Sequence, residues 1–323
     1  MYKKLLLLIV PFLLGLDFQN FNQPNDEILW DKWGIPHIYG STDVNLYYMM
    51  GWAQMHNHGN LILKLYGEGR AKSSEYWGEN FERDKLLHQL GVLNASQQAY
   101  AQLPLKEKQV LISFAEGINA YAEQHLDELE EKYKVVLPVK AEDILQHTFR
   151  VFYFEFLINR NIRKAKNWTA GSNGWAINGS KTASGNSMLM ANPHLNWDDF
   201  WLFFEAHLIS DTNDLYGATL VGLPTIGIGF NKNLGWTHTV NTLDNVDLYE
   251  LTLQNGQYQL DNKFHNFTID SLKVIEKTES GKKVTTVLRK QSAFGMVFKE
   301  EGNKAIAIKW PNTDGKLNII GQW

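Results

Sequence analysis

The 323-residue chain contains no cysteine. Disulfides and thiolate-held metals are therefore excluded, and cysteine usage says nothing about the redox compartment. Neither sign of charge is in excess: 31 Lys and Arg stand against 35 Asp and Glu, a formal net charge of −4. With no dense basic run, the electrostatic footprint of a nucleic-acid binder is missing. Internal repeats and low-complexity tracts are absent as well. What is plentiful is apolar surface, with 44% hydrophobic residues including 11 Trp, 13 Tyr and 17 Phe. That supplies a sizeable core and an apolar pocket in one large domain or two ordinary ones, and argues against disorder.

Long hydrophobic runs are scarce. The one at 1–16, MYKKLLLLIVPFLLGL, follows Lys3 and Lys4 and is interrupted by Pro11. It is short for a stable membrane span and reads as a secretory signal over residues 1–20, which predicts export to the periplasm or beyond. No small-x-small cleavage site follows it, so an uncleaved anchor is the alternative. At the other end, LNIIGQW at 317–323 has no closing turn or cap and reads as cut, the end of a C-terminally truncated precursor.

Between these ends the hydrophobic period changes once. EILWDKWGIPHIYG at 27–40 reads as strand, turn and strand. Residues 42–66 carry helical spacing behind Thr42 or Asp43, either of which suits a cap, and GEGR at 67–70 ends that helix. Leu111, Phe114, Ile118 and Tyr121 predict a helix over 105–133, and FRVFYFEFLI marks a largely buried one over 141–165. After residue 172, short apolar runs alternate with Gly, Asn and Pro and read as strands, with a hairpin turning at Glu279-Ser280-Gly281-Lys282. The expectation is an α+β fold: a mainly helical region over 21–160, an exposed connector over 161–171, and a strand-rich part over 172–323.

The connector ends at Gly171-Ser172. A lone serine is a weak nucleophile and needs a base, and neither a GxSxG elbow nor a Ser-x-x-Lys pair is present. One chemistry supplies the base locally. If the Gly171–Ser172 bond breaks, Ser172 gains an α-amino group with a pKa of about 8, next to its own hydroxyl. Gly171 has no Cβ to obstruct the hydroxyl's approach to its carbonyl, so the same hydroxyl is able to make the cut.

GSNGWAINGSKTASGNSMLMANPHLNW at 171–197 closely resembles the start of the β chain in penicillin and cephalosporin acylases, a branch of the N-terminal-nucleophile hydrolases that includes acyl-homoserine-lactone acylases. The resemblance continues through FFEAHL, DLYGATLVGLPTIGIGFN and LGWTHTVN, and upstream through GIPHIYG, GWAQMHN and GEGRAKSSEYWG, covering roughly 27–323. It implies an αββα sandwich, here incomplete, with α and β chains cut from one precursor. Ser172 would be the self-cleaving residue and then the nucleophile. His194 matches the position that hydrogen-bonds the serine and its amine in the cephalosporin and lactone acylases; penicillin G acylases carry glutamine there. Val240 matches the backbone N–H of the oxyanion hole, a donor worth roughly 3–4 kcal/mol. The second donor in the family lies further along than this sequence runs. His238 has no assigned role.

Asp244-Asn245-Val246-Asp247 resembles a calcium loop, with the Asp244 and Asp247 carboxylates and the Val246 carbonyl as ligands; Glu155 stands near the α-chain glutamate of that site, in uncertain register. No organic cofactor is implied. In the glutaryl-cephalosporin acylases an arginine follows GLPxI and binds the substrate carboxylate; here Gly227 follows GLPTI, and Phe203, beside Phe204, replaces a tyrosine. A glutaryl carboxylate would be buried without a partner, which is costly. An aliphatic or aromatic acyl group is expected instead, with Phe152, Tyr153 and Phe154 as further candidates for the wall. The leading expectation is an exported amidohydrolase acting on a small-molecule N-acyl amide. Two readings stand beside it: an acyl-homoserine-lactone acylase, and a non-catalytic exported binding protein using its aromatic surface.

Overall fold

The computed structural model describes residues 26–162, 171–241 and 244–317. The predicted signal at 1–20 and most of the predicted connector lie outside them. The described residues are α+β, as the change of period predicts: every α-helix precedes residue 163 and most strands follow residue 171.

Helix α1 (Asp43–Gly69) starts where Thr42 accepts the Asn45 N–H on its hydroxyl, and bends at His58, whose backbone leaves the helical region. Short helices α2 (Ser73–Trp77), α3 (Phe81–Gln89) and α4 (Val92–Gln102) follow. Helix α5 (Leu105–Gln124) buries Leu111, Phe114, Ile118 and Tyr121 against α1. The two helices cross at a pair of glycines. A Cβ on Gly51 would lie 2.1 Å from the Phe114 carbonyl, and one on Gly117 would lie 1.9 Å from that of Tyr48. No other residue fits at either position without moving a backbone.

Helix α5 stops earlier than expected, and residues 126–128 and 131–136 form 3-10 turns. Continuing the α-helix would stack Asp127, Glu128, Glu130 and Glu131 at repulsive spacings. Glu128 instead accepts the Tyr121 hydroxyl at 2.6 Å. Helix α6 (Ala141–Phe149) continues as a π-helical segment over Arg150–Asn159, so the predicted third helix is present with a widened second half.

The strands form three sheets. A six-stranded sheet has the order β1-β2-β5-β6-β7-β8. Its members are β1 (Glu27–Trp30), β2 (Pro36–Tyr39), β5 (Phe203–Ile209), β6 (Asp214–Leu220), β7 (Ile228–Phe230) and β8 (Gly235–Trp236). Strands β3 (Ser172–Ile177) and β4 (Met188–Pro193) pair as an antiparallel ribbon. The remaining seven strands, between Asp247 and Lys309, build a sheet of their own. Within it Thr268–Thr278 pairs with Gly281–Ser292, turning through Glu279-Ser280 as the sequence predicts.

One core joins the helical and strand-rich parts. β2 runs parallel to β5, with Ile38 opposite Leu208, and β5 turns Phe204, Ala206 and Leu208 into the same buried cluster as α1, α5 and α6. The regions before and after residue 171 therefore share one buried cluster. Their shared surface is what places α6 and its π-helical extension beside the start of β3.

Candidate active site

Ser172 opens β3, opposite Pro193 in the ribbon. Its hydroxyl donates to the Gly171 carbonyl oxygen at 2.5 Å. The backbone N–H of His194 donates to the same oxygen at 3.1 Å. The carbonyl preceding the serine thus carries two donors. Of these, the His194 N–H stays in place while the Ser172 oxygen attacks, and a donor there stabilises the negative charge that develops on the carbonyl oxygen. Gly171 also makes room for its neighbour, because a Cβ on it would stand 3.3 Å from Nδ1 of His194.

The His194 ring meets two amides on the ribbon. Its Nε2 lies 2.9 Å from Asn192 Oδ1 and 3.1 Å from Asn173 Nδ2, and Asn173 Nδ2 donates to Asn192 Oδ1 at 3.2 Å. Ser172 and His194 are linked through the Gly171 carbonyl, with the ring engaged by the asparagines. Neither asparagine was singled out in the sequence. Their signal was the strand period, since Asn192 and His194 are two apart and Asn173 pairs with Asn192.

Ser172 also borders a cavity of about 380 Å³ between the π-helical segment, β5, β6 and the loop after β8. Phe203, Gly227 and Val240 all line it, so these expectations converge with Ser172 on one site. Phe204 does not. Alternation along β5 buries it on the opposite face, edge-on to His58 with ring centroids 6.0 Å apart. Phe152 and Tyr153 line the cavity, whereas Phe154 is buried in the core. Phe156, one helical repeat beyond Phe152, joins them with Leu157, Leu220, Leu223 and Ile228. The wall is mainly apolar, and Arg160 brings a cation to it from the helix side. His238 lines the cavity too, and burial lowers its pKa, an effect partly offset by the Gly227 backbone.

The penicillin amidase family model matches residues 26–323. The chain belongs to that family. Among curated relatives, the acyl-homoserine lactone acylase PvdQ of Pseudomonas putida is 28% identical over 98% of this chain and 47% of its own length. The aculeacin-A acylase of Actinoplanes utahensis is 37% identical over 27% of this chain and 11% of its own. The chain thus spans about half the length of the PvdQ relative. A thermostable penicillin G acylase from Alcaligenes faecalis overlays 42% of this chain and 25% of its own, with 19% identity and a TM-score of 0.37.

Asp244, Val246, Asp247 and Glu155 do not line the cavity. Val246 is buried, and the carboxylate of Asp247 lies 3.5 Å from the Tyr249 hydroxyl. Asp244 adjoins residues 242–243, outside the described set. Calcium takes six to eight oxygens. Asp244, Val246 and Asp247 supply two carboxylates and a carbonyl, and no group of three or more acidic or histidine side chains able to hold a metal occurs among the described residues. The residues in hand do not complete a calcium site.

Glu155 has other partners. It pairs with Arg83 and lies 3.5 Å from the fully buried Arg150, whose guanidinium also reaches Glu68 at 3.1 Å. Burial and the Arg150 charge push the pKa of His147 well down, and its Nδ1 lies 3.3 Å from the Arg150 guanidinium. This cluster backs the helix that forms the cavity wall. No helix among the described residues is long and apolar enough to cross a membrane.

Proposed function

We propose that this chain is part of an exported amidohydrolase, made as a precursor and cleaved by its own Ser172. The observation that carries the reading is the Gly171 carbonyl, held by the Ser172 hydroxyl and the His194 N–H at the edge of an apolar cavity. Attack of Ser172 Oγ on the Gly171 carbon forms an ester and breaks the Gly171–Ser172 amide. The hydroxyl proton ends on the Ser172 nitrogen. Water then cleaves the ester, leaving a free hydroxyl beside a free α-amine. In the second reaction that amine takes the hydroxyl proton as Oγ attacks the substrate's acyl carbon, and returns it to the departing amine. A carboxylic acid leaves when water hydrolyses the acyl-enzyme. Val240 contributes one backbone donor to the oxyanion.

The cavity supports an apolar acyl group. Phe152, Phe156, Phe203 and Leu223 offer it aromatic and aliphatic walls. The names of the PvdQ relatives favour a lactone amide as substrate, with a phenylacetyl amide as the alternative. A panel of long-chain acyl-homoserine lactones, phenylacetyl amides and glutaryl amides separates these substrates.

The founding test is the intact mass and N-terminal sequence of the expressed protein beside Ser172→Ala. A β chain beginning Ser-Asn-Gly-Trp in the wild type alone is the expected result. A soluble, folded, uncut wild-type chain would refute the mechanism and favour a binding protein.

A further inference from the structure

We infer that Asn192 is a positioning residue that fixes the tautomer of His194, and that Asn173 opposes it. The inference rests on the reading of Ser172 as the nucleophile.

The geometry is a triangle with one histidine nitrogen at its apex. Nε2 stands 2.9 Å from an acceptor, Asn192 Oδ1, and 3.1 Å from a donor, Asn173 Nδ2. A neutral imidazole carries one proton, so Nε2 satisfies one neighbour at a time. With its proton on Nε2 it donates to Asn192, and the lone pair falls on Nδ1. With its proton on Nδ1 it accepts from Asn173 at Nε2. The two asparagines therefore select opposite tautomers.

Nδ1 is the nitrogen turned toward the junction, close to where a Cβ on Gly171 would stand. A lone pair there lets the ring take the Ser172 hydroxyl proton and pass it to the Ser172 nitrogen as the amide breaks. A proton there blocks that role. Asn192 Oδ1 supports the active tautomer, and continues to accept from Nε2 if the ring gains a second proton. Carboxylates commonly serve this orienting purpose for histidines, and an amide oxygen provides the same acceptor without charge. Asn173 Nδ2 also donates to Asn192 Oδ1, which holds that oxygen in place. Its two contacts pull in different directions, and the effect of its removal is correspondingly smaller.

The test is ¹⁵N NMR of the ring in the uncut Ser172→Ala chain. Its His194 signals are assigned among the 10 histidines by a His194→Gln comparison. The proton is expected on Nε2 in the parent, on Nδ1 after Asn192→Ala, and on Nε2 again after Asn173→Ala and after Asn192→Asp, which keeps an acceptor oxygen. Both asparagines are exposed, so these changes leave the core intact. In the processing-competent chain, Asn192→Ala is expected to slow self-cleavage about tenfold or more, and Asn173→Ala to leave it within about twofold. An unchanged tautomer in Asn192→Ala, or wild-type cleavage in that variant, overturns the inference. If the wild type is never cut but the tautomer still follows Asn192, the nucleophile reading fails and the positioning role stands.

Discussion

Gly171 and His194 meet twice beside the bond expected to break. The His194 N–H donates to the Gly171 carbonyl at 3.1 Å, and the His194 ring leans on the face of Gly171 where any other residue carries its Cβ. Glycine at this position lets the ring sit closer than a Cβ would comfortably allow. Gly171→Ala would set a methyl 3.3 Å from Nδ1, a separation the exposed ring relieves by moving outward. The backbone bond survives and the ring's placement does not. Self-cleavage is expected to slow by about ten- to a hundredfold, with folding unaffected, as read from the half-time of chain separation on a denaturing gel. Cleavage at the wild-type rate would show that the ring takes no part.

Cutting after Gly171 would leave two polypeptides with one core. Gln54 of α1 is fully buried and reads the loop after β6 from both ends of its amide, donating to the Leu223 carbonyl and accepting the Gly222 N–H, each at 2.9 Å. The Tyr66 hydroxyl donates to Gly222 at 2.7 Å. The two pieces are expected to elute together under native conditions and separate only in denaturant. Gln54→Ala strands a buried N–H and a buried carbonyl and is expected to cost about 1–3 kcal/mol, measured as a lower urea midpoint. Separation of the wild-type pieces without denaturant would contradict the single core.

The pH dependence of stability has a local test at Asp84. Burial raises its pKa from 3.8 to about 6, although Ser74 donates to it through both N–H and hydroxyl. Between those values the folded chain holds a proton that the unfolded chain has released. Stability therefore falls as pH rises through this window, by an amount on the order of 2–3 kcal/mol, and stays lower above it. Asp84→Asn keeps an acceptor for Ser74 and has no charge to bury. Relative to the wild type it is expected to gain stability from about pH 4 to about pH 6. Equal pH slopes for the two chains in urea titrations would refute the assignment.

The serine junction was legible because its motif is local. Ser172, Gly171 and His194 lie within one hairpin, so the strand pairing that joins them is close to the sequence itself. Phe203 comes from β5, Gly227 from the bend before β7 and Val240 from the loop after β8, and only the family resemblance connected them to Ser172. The change of period gave the α+β class, and the spacing of Leu111, Phe114, Ile118 and Tyr121 gave the buried face of α5. Helices α2 to α4 were not read, because they are short and their polar residues hide the apolar stripe. The buried Arg150 was equally hidden. In sequence it is one cation in an apolar run, and its partner Glu68 lies about eighty residues away, brought close only by packing of α1 against α6. Arg160 was missed for a different reason: the loss of a charge was read at Gly227 alone, whereas Arg160 reaches the cavity from the end of the π-helical segment.

Phe203 and Phe204 are adjacent in sequence and opposite in consequence. The first faces the cavity beside Ser172, and the second is 2% exposed in the main core. Phe203→Ala removes a wall without opening the core. It is expected to raise kcat/KM for long acyl chains relative to short ones by about ten- to a hundredfold, the scale of one to three kcal/mol of apolar contact in a pocket. Phe204→Ala leaves a void beneath β5 and is expected to cost about 3–5 kcal/mol of stability with no change in chain-length preference. The paired measurement is a chain-length series on each processed variant together with its thermal midpoint. Phe204→Ala shifting the preference while Phe203→Ala does not would place the acyl group on the wrong face of β5. The cavity beside Ser172 would then not be where the substrate binds.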